Sequence, residues 1–225
     1  MKKSRPLAVI GFKLAAGMAC FLAQSLPATV RYVDLNSTHA TAPFTNWDTA
    51  AVTIQDAIDE ADPGDEILVT NGVYAAGGRV VSPYLLTNRV AVTKAVTIQS
   101  VNGPEVTVIE GYQVPGTTYG DSAVRCIYLT NGATLVGVTL TKGATRSSGD
   151  WTYEQSGGGA WCESTSADLS NCVLVANSAS TRCGGIWRGT LNHCKLFPFR
   201  IQRQDGVLAL RRGGEINAFL PDNRS

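Results

Sequence analysis

The chain has 225 residues, enough for one domain of ordinary size, and 44% of them are hydrophobic against only 16% that are charged. Low charge together with 23 glycines is typical of a β-rich extracellular protein rather than a helical cytosolic one. Without residues 1–28, which hold four basic residues and no acid, the chain carries 15 basic and 18 acidic residues. This net charge of −3 argues against a nucleic acid or an anionic membrane as a partner held by bulk charge.

The N-terminus has the pattern of a secretory signal peptide. Two lysines and an arginine lie within the first five residues, an apolar run covers residues 7–22, and Ala28 offers a small residue for cleavage. A membrane anchor is the alternative, but the run is shorter than the roughly 18 residues that a spanning helix needs, and Lys13 interrupts it. We therefore expect residues 1–28 to be removed, the protein to be secreted or held at the cell surface, and membrane contact to occur only through this peptide.

The next segment, residues 29–64, predicts an N-terminal strand followed by a short capping helix. Residues 31–34 have strand character. In residues 53–61, Ile54 and Ile58 fall on one helical face, and an Asp-Pro-Gly sequence then ends the helix.

A repeated pattern in residues 65–196 predicts a solenoid. Residues 158–161 (Gly-Gly-Ala-Trp) return as residues 184–187 (Gly-Gly-Ile-Trp), and a Leu-x-x-Cys-x-Leu pattern occurs twice, 22 residues apart. We call each repeat unit a coil and each position that recurs between coils a slot. Three slots are shared: Leu135, Leu169 and Leu191; Val138, Cys172 and Cys194; Leu140, Leu174 and Leu196. Because a unit of about 22 residues cannot bury its apolar face alone, the copies are expected to stack.

These slots predict an all-β fold, a parallel β-helix whose Leu, Val and Cys side chains point inward. Asn and Gly are expected at the corners, where the backbone angle φ is positive. The helix over residues 53–61 would cap the first coil and protect its edge. An antiparallel β-sandwich is the alternative, and the register-matched slots argue against it.

Five cysteines remain once the signal peptide is removed. Because five is an odd number, at least one thiol would stay free if the others formed disulfides. Cys172 and Cys194 share a slot, where stacked positions lie about 4.8 Å apart. This spacing is within disulfide reach, but stacked side chains point the same way, which favours a ladder of small buried side chains. His39 and His193 are far apart in sequence and there is no CxxC, so we expect no metal site of this type.

Two stretches carry a resemblance to known families. Thr-Ile-Gln-Asp-Ala-Ile from residue 53, with Asp-Pro-Gly-Asp-Glu-Ile-Leu-Val-Thr-Asn-Gly-Val-Tyr ending at residue 74, resembles the entry segment of right-handed parallel β-helix proteins of the pectate-lyase-like superfamily. Residues 158–160 and 174–177 resemble the repeats of chlamydial polymorphic outer-membrane proteins, with Leu in place of Phe. The resemblance covers roughly residues 50–196. It implies a right-handed β-helix, while fold alone does not select an activity.

The resemblance also implies what an active site would contain. Lyases of the pectate-lyase-like superfamily often use Ca²⁺ held by Asp and Glu, with a basic residue as proton abstractor, and its hydrolases use paired carboxylates. No carboxylate recurs between Leu169 and Leu174 or between Leu191 and Leu196. Ca²⁺ is therefore expected only if the protein is a lyase.

The remaining site candidates lie in loops, chiefly in the insertion over residues 143–157. Its Trp151 and Tyr153 are suited to stacking on sugar rings, and Asp150 and Glu154 to accepting hydrogen bonds from hydroxyl groups. The two carboxylates are thus weak catalytic candidates and the two aromatic residues are candidate ligand-binding residues. The alternative is a solvated loop whose Trp151 folds back on the coil.

Arg125 is a third weak catalytic candidate. With Asp121 it lies near the start of a strand, where the two residues form either an active pair or an exposed ion pair of little energetic value. Trp161 and Trp187 share a repeat slot, which predicts a structural stack rather than a ligand platform.

The tail over residues 197–225 departs from the repeat. It contains five arginines and three acidic residues where a further Gly-Gly coil is expected. Two interpretations stay open: a true capping segment, or a longer array altered by truncation or a frameshift.

The first functional expectation is an exported β-helix repeat protein with a surface or carbohydrate-interaction role, in whose sequence no active site can be demonstrated. Its partner would be a polysaccharide or a cell-surface glycan. One alternative is a polysaccharide lyase or glycoside hydrolase of the pectate-lyase-like superfamily. The other is an adhesin-like passenger domain.

Overall fold

A computed structural model of the protein describes residues 27–196. The tail over residues 197–225 and nearly all of the predicted signal peptide lie outside this part of the chain. The described residues form short strands, a 3₁₀ turn (Trp47–Thr49) and the helix α1 (Ile54–Glu60). The strands are, in chain order, β1 (Val30–Val33), β2 (Glu66–Val69), β3 (Gly72–Tyr74), β4 (Arg79–Val80), β5 (Thr87–Val92), β6 (Thr97–Ser100), β7 (Thr107–Glu110), β8 (Val124–Leu129), β9 (Thr134–Val136), β10 (Thr139–Thr141), β11 (Ala160–Cys162), β12 (Asp168–Ser170), β13 (Val173–Val175), β14 (Ile186–Trp187), β15 (Thr190–Asn192) and β16 (Lys195–Leu196).

These strands form three sheets around a shared apolar core. The strand order is β1-β2-β6-β9-β12-β15 in the first sheet, β16-β13-β10-β7-β3 in the second and β14-β11-β8-β5-β4 in the third. Within residues 27–196 all strand pairs are parallel except that of β4 with β5. Four complete turns each place one strand in every sheet: β2-β3-β5, β6-β7-β8, β9-β10-β11 and β12-β13-β14. The predicted all-β parallel solenoid, of about four turns, is thus confirmed.

The register of the sheets confirms the predicted leucine slots. Successive coils align Leu135, Leu169 and Leu191 in the first sheet, and Leu140, Leu174 and Leu196 in the second. Along the first sheet, from Ile67 through Ile98, the register partners are 31, 37, 34 and 22 residues apart. The 22-residue unit is therefore the shortest coil, and loops lengthen the others.

Positive φ angles mark the corner between the first and second sheets. Gly137, Asn171 and His193 occupy this corner in three successive coils, with φ of 69°, 50° and 53°. Gly and Asn match the sequence expectation because they tolerate left-handed backbone at low cost. At His193 the same conformation falls on a residue that adopts it less readily than glycine.

Cys172 and Cys194 follow this corner, and all cysteines in residues 27–196 are free thiols. The Cys172 Sγ atom lies 3.6 Å from the carbonyl oxygen of Leu135, and the Cys194 Sγ atom lies 3.2 Å from that of Leu169. Each thiol also contacts a carbonyl oxygen of its own coil, that of Ser170 at 3.3 Å for Cys172 and that of Asn192 at 3.5 Å for Cys194. The two cysteines form the predicted ladder and not a disulfide.

The helix α1 packs beside the first turn. Thr53 accepts a hydrogen bond from the Asp56 amide at 3.1 Å, which satisfies a free N–H of the first helical turn. Ile54, Ala57 and Ile58 are buried, and the helix contacts β1, β2 and β5. Among residues 27–196 no helix is long and apolar enough to cross a membrane.

Lys94 binds the C-terminal end of α1. Its Nζ atom donates to the carbonyl oxygens of Ile58, Asp59 and Ala61 at 3.2, 2.8 and 2.6 Å, where helix carbonyls lack partners within the helix. Because Lys94→Met removes these charge-assisted bonds, we expect it to lower the free energy of unfolding by about 1–2 kcal/mol in urea titrations followed by circular dichroism. The control Lys142→Met, which removes only an exposed ion pair, should cost less than about 1 kcal/mol. Equal losses would show that the Lys94 contacts are not stabilising.

Candidate functional site

The loop that carries most of the predicted site residues lies between β10 and β11, and Glu154 anchors it. Glu154 is only 6% exposed. Its carboxylate accepts hydrogen bonds from the amides of Leu85 and Asp150 at 2.8 and 2.9 Å and from Arg146 Nη1 at 2.7 Å. Both carboxylate oxygens are therefore occupied by groups of the protein itself.

These contacts also fix the ionisation of Glu154. Burial by itself raises its pKa, but the hydrogen bonds from the Asp150 and Leu85 amides and from Arg146 outweigh burial and hold the pKa below its usual value. A general acid at neutral pH needs the opposite shift. Because the pKa is lowered on folding, the stability that ionised Glu154 contributes is present above its unfolded pKa, near 4.5, and is lost as the pH falls through the folded-state pKa.

Asp150 caps a turn of its own loop. Its Oδ1 atom accepts hydrogen bonds from the amides of Thr152 and Tyr153, both at 2.8 Å. The residue is exposed, so solvent reaches its carboxylate. Asp150 and Glu154 thus both have carboxylate oxygens that accept hydrogen bonds from backbone amides.

Arg125 is buried at the start of β8, with 2% exposure. Its guanidinium donates to the carbonyl oxygens of Gly157, Tyr153 and Ser156 at 2.8, 2.6 and 2.9 Å and to Asn88 Oδ1 at 2.9 Å. Burial lowers the pKa of Arg125 to about 9, which leaves it protonated at neutral pH. The buried cation holds the end of the loop against the third sheet.

Asp121 does not pair with Arg125. Its Oδ1 atom lies 3.3 Å from Arg146 and accepts a hydrogen bond from Ser148 Oγ at 3.1 Å. The Asp121 side chain is 66% exposed, so this is a surface ion pair of small energetic value.

Tyr153 is packed among other rings. Its ring centroid lies 4.0 Å from that of Tyr84 and 4.6 Å from that of Trp161. Tyr128, Trp161 and Trp187 are register neighbours in the third sheet and form a cluster separate from the main core. The shared slot predicted for the two tryptophans is thus present, and Tyr153 covers part of this row.

Trp151 presents its ring to solvent and is 52% exposed. Its ring meets that of Trp187 edge to face, with centroids 6.3 Å apart at 81°. The guanidinium carbon of Arg182 lies 4.7 Å from the Trp151 centroid and 6.0 Å from the Trp187 centroid. No described residue forms a hydrogen bond or ion pair with the Arg182 side chain. We call Trp151, Arg182 and Trp187 the Trp151 platform.

The best-formed clefts are too small to enclose a sugar. The two of them have volumes of about 10 and 70 Å³, whereas ligand pockets typically measure about 300–1,000 Å³. Within residues 27–196 no group of three or more His, Cys, Asp or Glu side chains is placed to hold a metal ion. Neither of these two clefts would therefore enclose a sugar.

Comparison with known proteins adds no family to these observations. No family model matches the chain, and searches of curated proteins and of solved structures gave no significant match.

Proposed function

We propose that the protein is an exported β-solenoid that binds carbohydrate at the Trp151 platform and has no catalytic role. The observation that carries this proposal is the exposed indole of Trp151 with the guanidinium of Arg182 over one face of its ring, where no described residue uses the guanidinium donors. An aromatic face packs well against the apolar face of a sugar ring, while a guanidinium donates to hydroxyl or carboxylate oxygens. The signal-peptide pattern supports export to the surface or the medium.

The handedness of the solenoid and the role of α1 are also proposals. We propose right-handed turns, supported by the resemblance of the entry segment and by the strong preference of parallel crossover connections for that hand. We also propose that α1 caps the first coil. Its buried face and its contacts with β1, β2 and β5 support this role, because an uncovered sheet edge invites pairing with other chains.

The enzyme alternatives draw less support from the contacts. Asp150 and Glu154 accept amide hydrogen bonds, and Arg125 is buried against carbonyl groups. A lyase using Ca²⁺, or a hydrolase, would need such groups within reach of a substrate. An adhesin-like passenger would use the Trp151 platform in the same way as the carbohydrate-binding protein proposed here.

The proposal predicts that Trp151→Ala weakens carbohydrate binding at least tenfold, which corresponds to the loss of about 1.4 kcal/mol of stacking energy. Binding would be measured by titration calorimetry against a panel of neutral and acidic polysaccharides. The matched control is Trp47→Ala, because Trp47 is similarly exposed at 43% but lies near the N-terminal strand β1. The carbohydrate affinity of Trp47→Ala should equal that of the unaltered protein. Failure of the whole panel to bind, or equal effects of the two substitutions, would refute the proposal.

A further inference from the structure

A cleft opens beside α1, in the first turn of the solenoid. Its walls include Leu35 from the segment after β1, Ile54 from the helix, and Arg89 and Val90 from β5. It has a volume of about 70 Å³, room for about two to five water molecules at roughly 15–30 Å³ each. Most of its lining is apolar, so the cleft suits a small molecule with a short hydrocarbon part.

Arg89 gives this apolar cleft a positive charge. Its Nε atom donates to the carbonyl oxygen of Glu110 at 2.8 Å and its Nη1 atom to that of Gly77, which is itself part of the cleft wall. Nη2 forms no hydrogen bond with any residue of the described chain. The carboxylate of Glu110 is paired with Lys142 at 3.1 Å, so it does not neutralise Arg89 by direct contact.

The other polar residues of the lining are already engaged. Thr53 Oγ1 accepts from the Asp56 amide, Gln55 bonds to the backbone of Ala91, and the Tyr74 hydroxyl donates to the carbonyl oxygen of Thr70. No acidic residue contributes to the walls of this cleft. Arg89 is therefore the wall residue with unused charged donors, and an anionic oxygen is the group that complements it.

We propose that this cleft binds a small monocarboxylate whose short alkyl tail occupies the apolar part while its carboxylate accepts hydrogen bonds from Arg89. The volume limits the tail to about two to five carbons, since each carbon replaces roughly one water molecule. The inference is independent of carbohydrate binding at the Trp151 platform, because it uses different residues on a different turn.

The test uses pentanoate as the probe, with 1-pentanol and pentylamine as matched controls of the same chain length. Binding to the full chain would be followed by ligand-observed NMR and by backbone chemical shifts. We expect saturable binding of pentanoate. Binding of the alcohol should be at least about tenfold weaker because it lacks the charge-assisted hydrogen bonds, and the amine should be weaker still because it repels Arg89.

Three substitutions test whether pentanoate binds in this cleft. Arg89→Met should weaken pentanoate binding at least tenfold, whereas Arg79→Met, which removes an arginine paired with Asp59 outside the cleft lining, should leave it unchanged. Ala76→Phe fills the exposed rim of the cleft and should also abolish binding, without touching the core. If Arg89→Met does not fold, Ala76→Phe still tests whether pentanoate binds in this cleft.

Three results would overturn the inference. The first is no saturable binding of pentanoate. The second is equal binding of the acid and the alcohol, which would indicate apolar affinity without recognition of the carboxylate. The third is unchanged binding in Ala76→Phe or in a folded Arg89→Met, which would place the ligand elsewhere on the protein.

Discussion

Leu174→Asp is expected to unfold the C-terminal turns, with a loss of more than about 4 kcal/mol in the free energy of unfolding. Leu174 is 1% exposed and lies in register between Leu140 and Leu196 in the second sheet. A carboxylate at this position has only apolar neighbours within the stack, so it must either be buried unpaired or take up a proton. Both routes are costly, and the loss is a large part of the roughly 5–15 kcal/mol that stabilises a typical domain.

The control for this substitution is Ser170→Asp. Ser170 lies in β12 of the same turn, in register with Val136 and Asn192, and is partly exposed. The new carboxylate would remain hydrated, so we expect a change of less than about 1 kcal/mol. Urea titrations followed by circular dichroism measure both variants. Similar midpoints for the two would show that the assignment of inward and outward residues is incorrect.

Arg125→Met is expected to lower the free energy of unfolding by about 3–5 kcal/mol, because it leaves buried acceptors without donors. The acceptors are the carbonyl oxygens of Tyr153, Ser156 and Gly157 and the Asn88 side chain. We also expect the loop that carries Trp151 to detach from the third sheet. We expect limited proteolysis to cut within residues 147–156 in this variant and not in the unaltered protein.

Arg188→Met is the matched control for Arg125. Arg188 is exposed, and its side chain donates one hydrogen bond, to the carbonyl oxygen of Glu163 at 3.1 Å. Its removal should cost less than about 1 kcal/mol and leave the loop protected. If Arg125→Met were as stable as Arg188→Met, the buried arginine would not be what holds the loop in place.

The solenoid was predictable because its last turns repeat at short spacing. The slots of Leu135, Leu169 and Leu191 follow from the sequence, and the register of the first sheet matches them. The earlier coils place Ile67 and Ile98 in the same column. Loops between the strands make these spacings unequal, so the sequence indicated strands there but not their alignment.

The contacts of the loop over residues 147–156 were not predictable in the same way. The Glu154 carboxylate meets the Leu85 amide across 69 residues of sequence, and Arg125 meets Asn88 across 37. Such contacts depend on which loops the coils bring to the same face of the third sheet. Arg182 was missed for the same reason: a lone arginine gives no sequence signal, and it reaches Trp151 because residue 182 lies beside Ser156 in the next coil.

Carbohydrate binding at the Trp151 platform is tested most directly by the indole N–H signals of the four tryptophans in a ¹⁵N-labelled sample. Single substitutions assign the signals, and the protein is titrated with an oligosaccharide prepared from a polysaccharide of the binding panel. We predict that the Trp151 signal shifts saturably. The signals of Trp47 and of Trp161, whose Nε1 atom donates to the Thr152 carbonyl at 2.9 Å, should stay in place. A Trp151 signal that does not move at saturating ligand, or a shift confined to Trp47, would contradict the proposal.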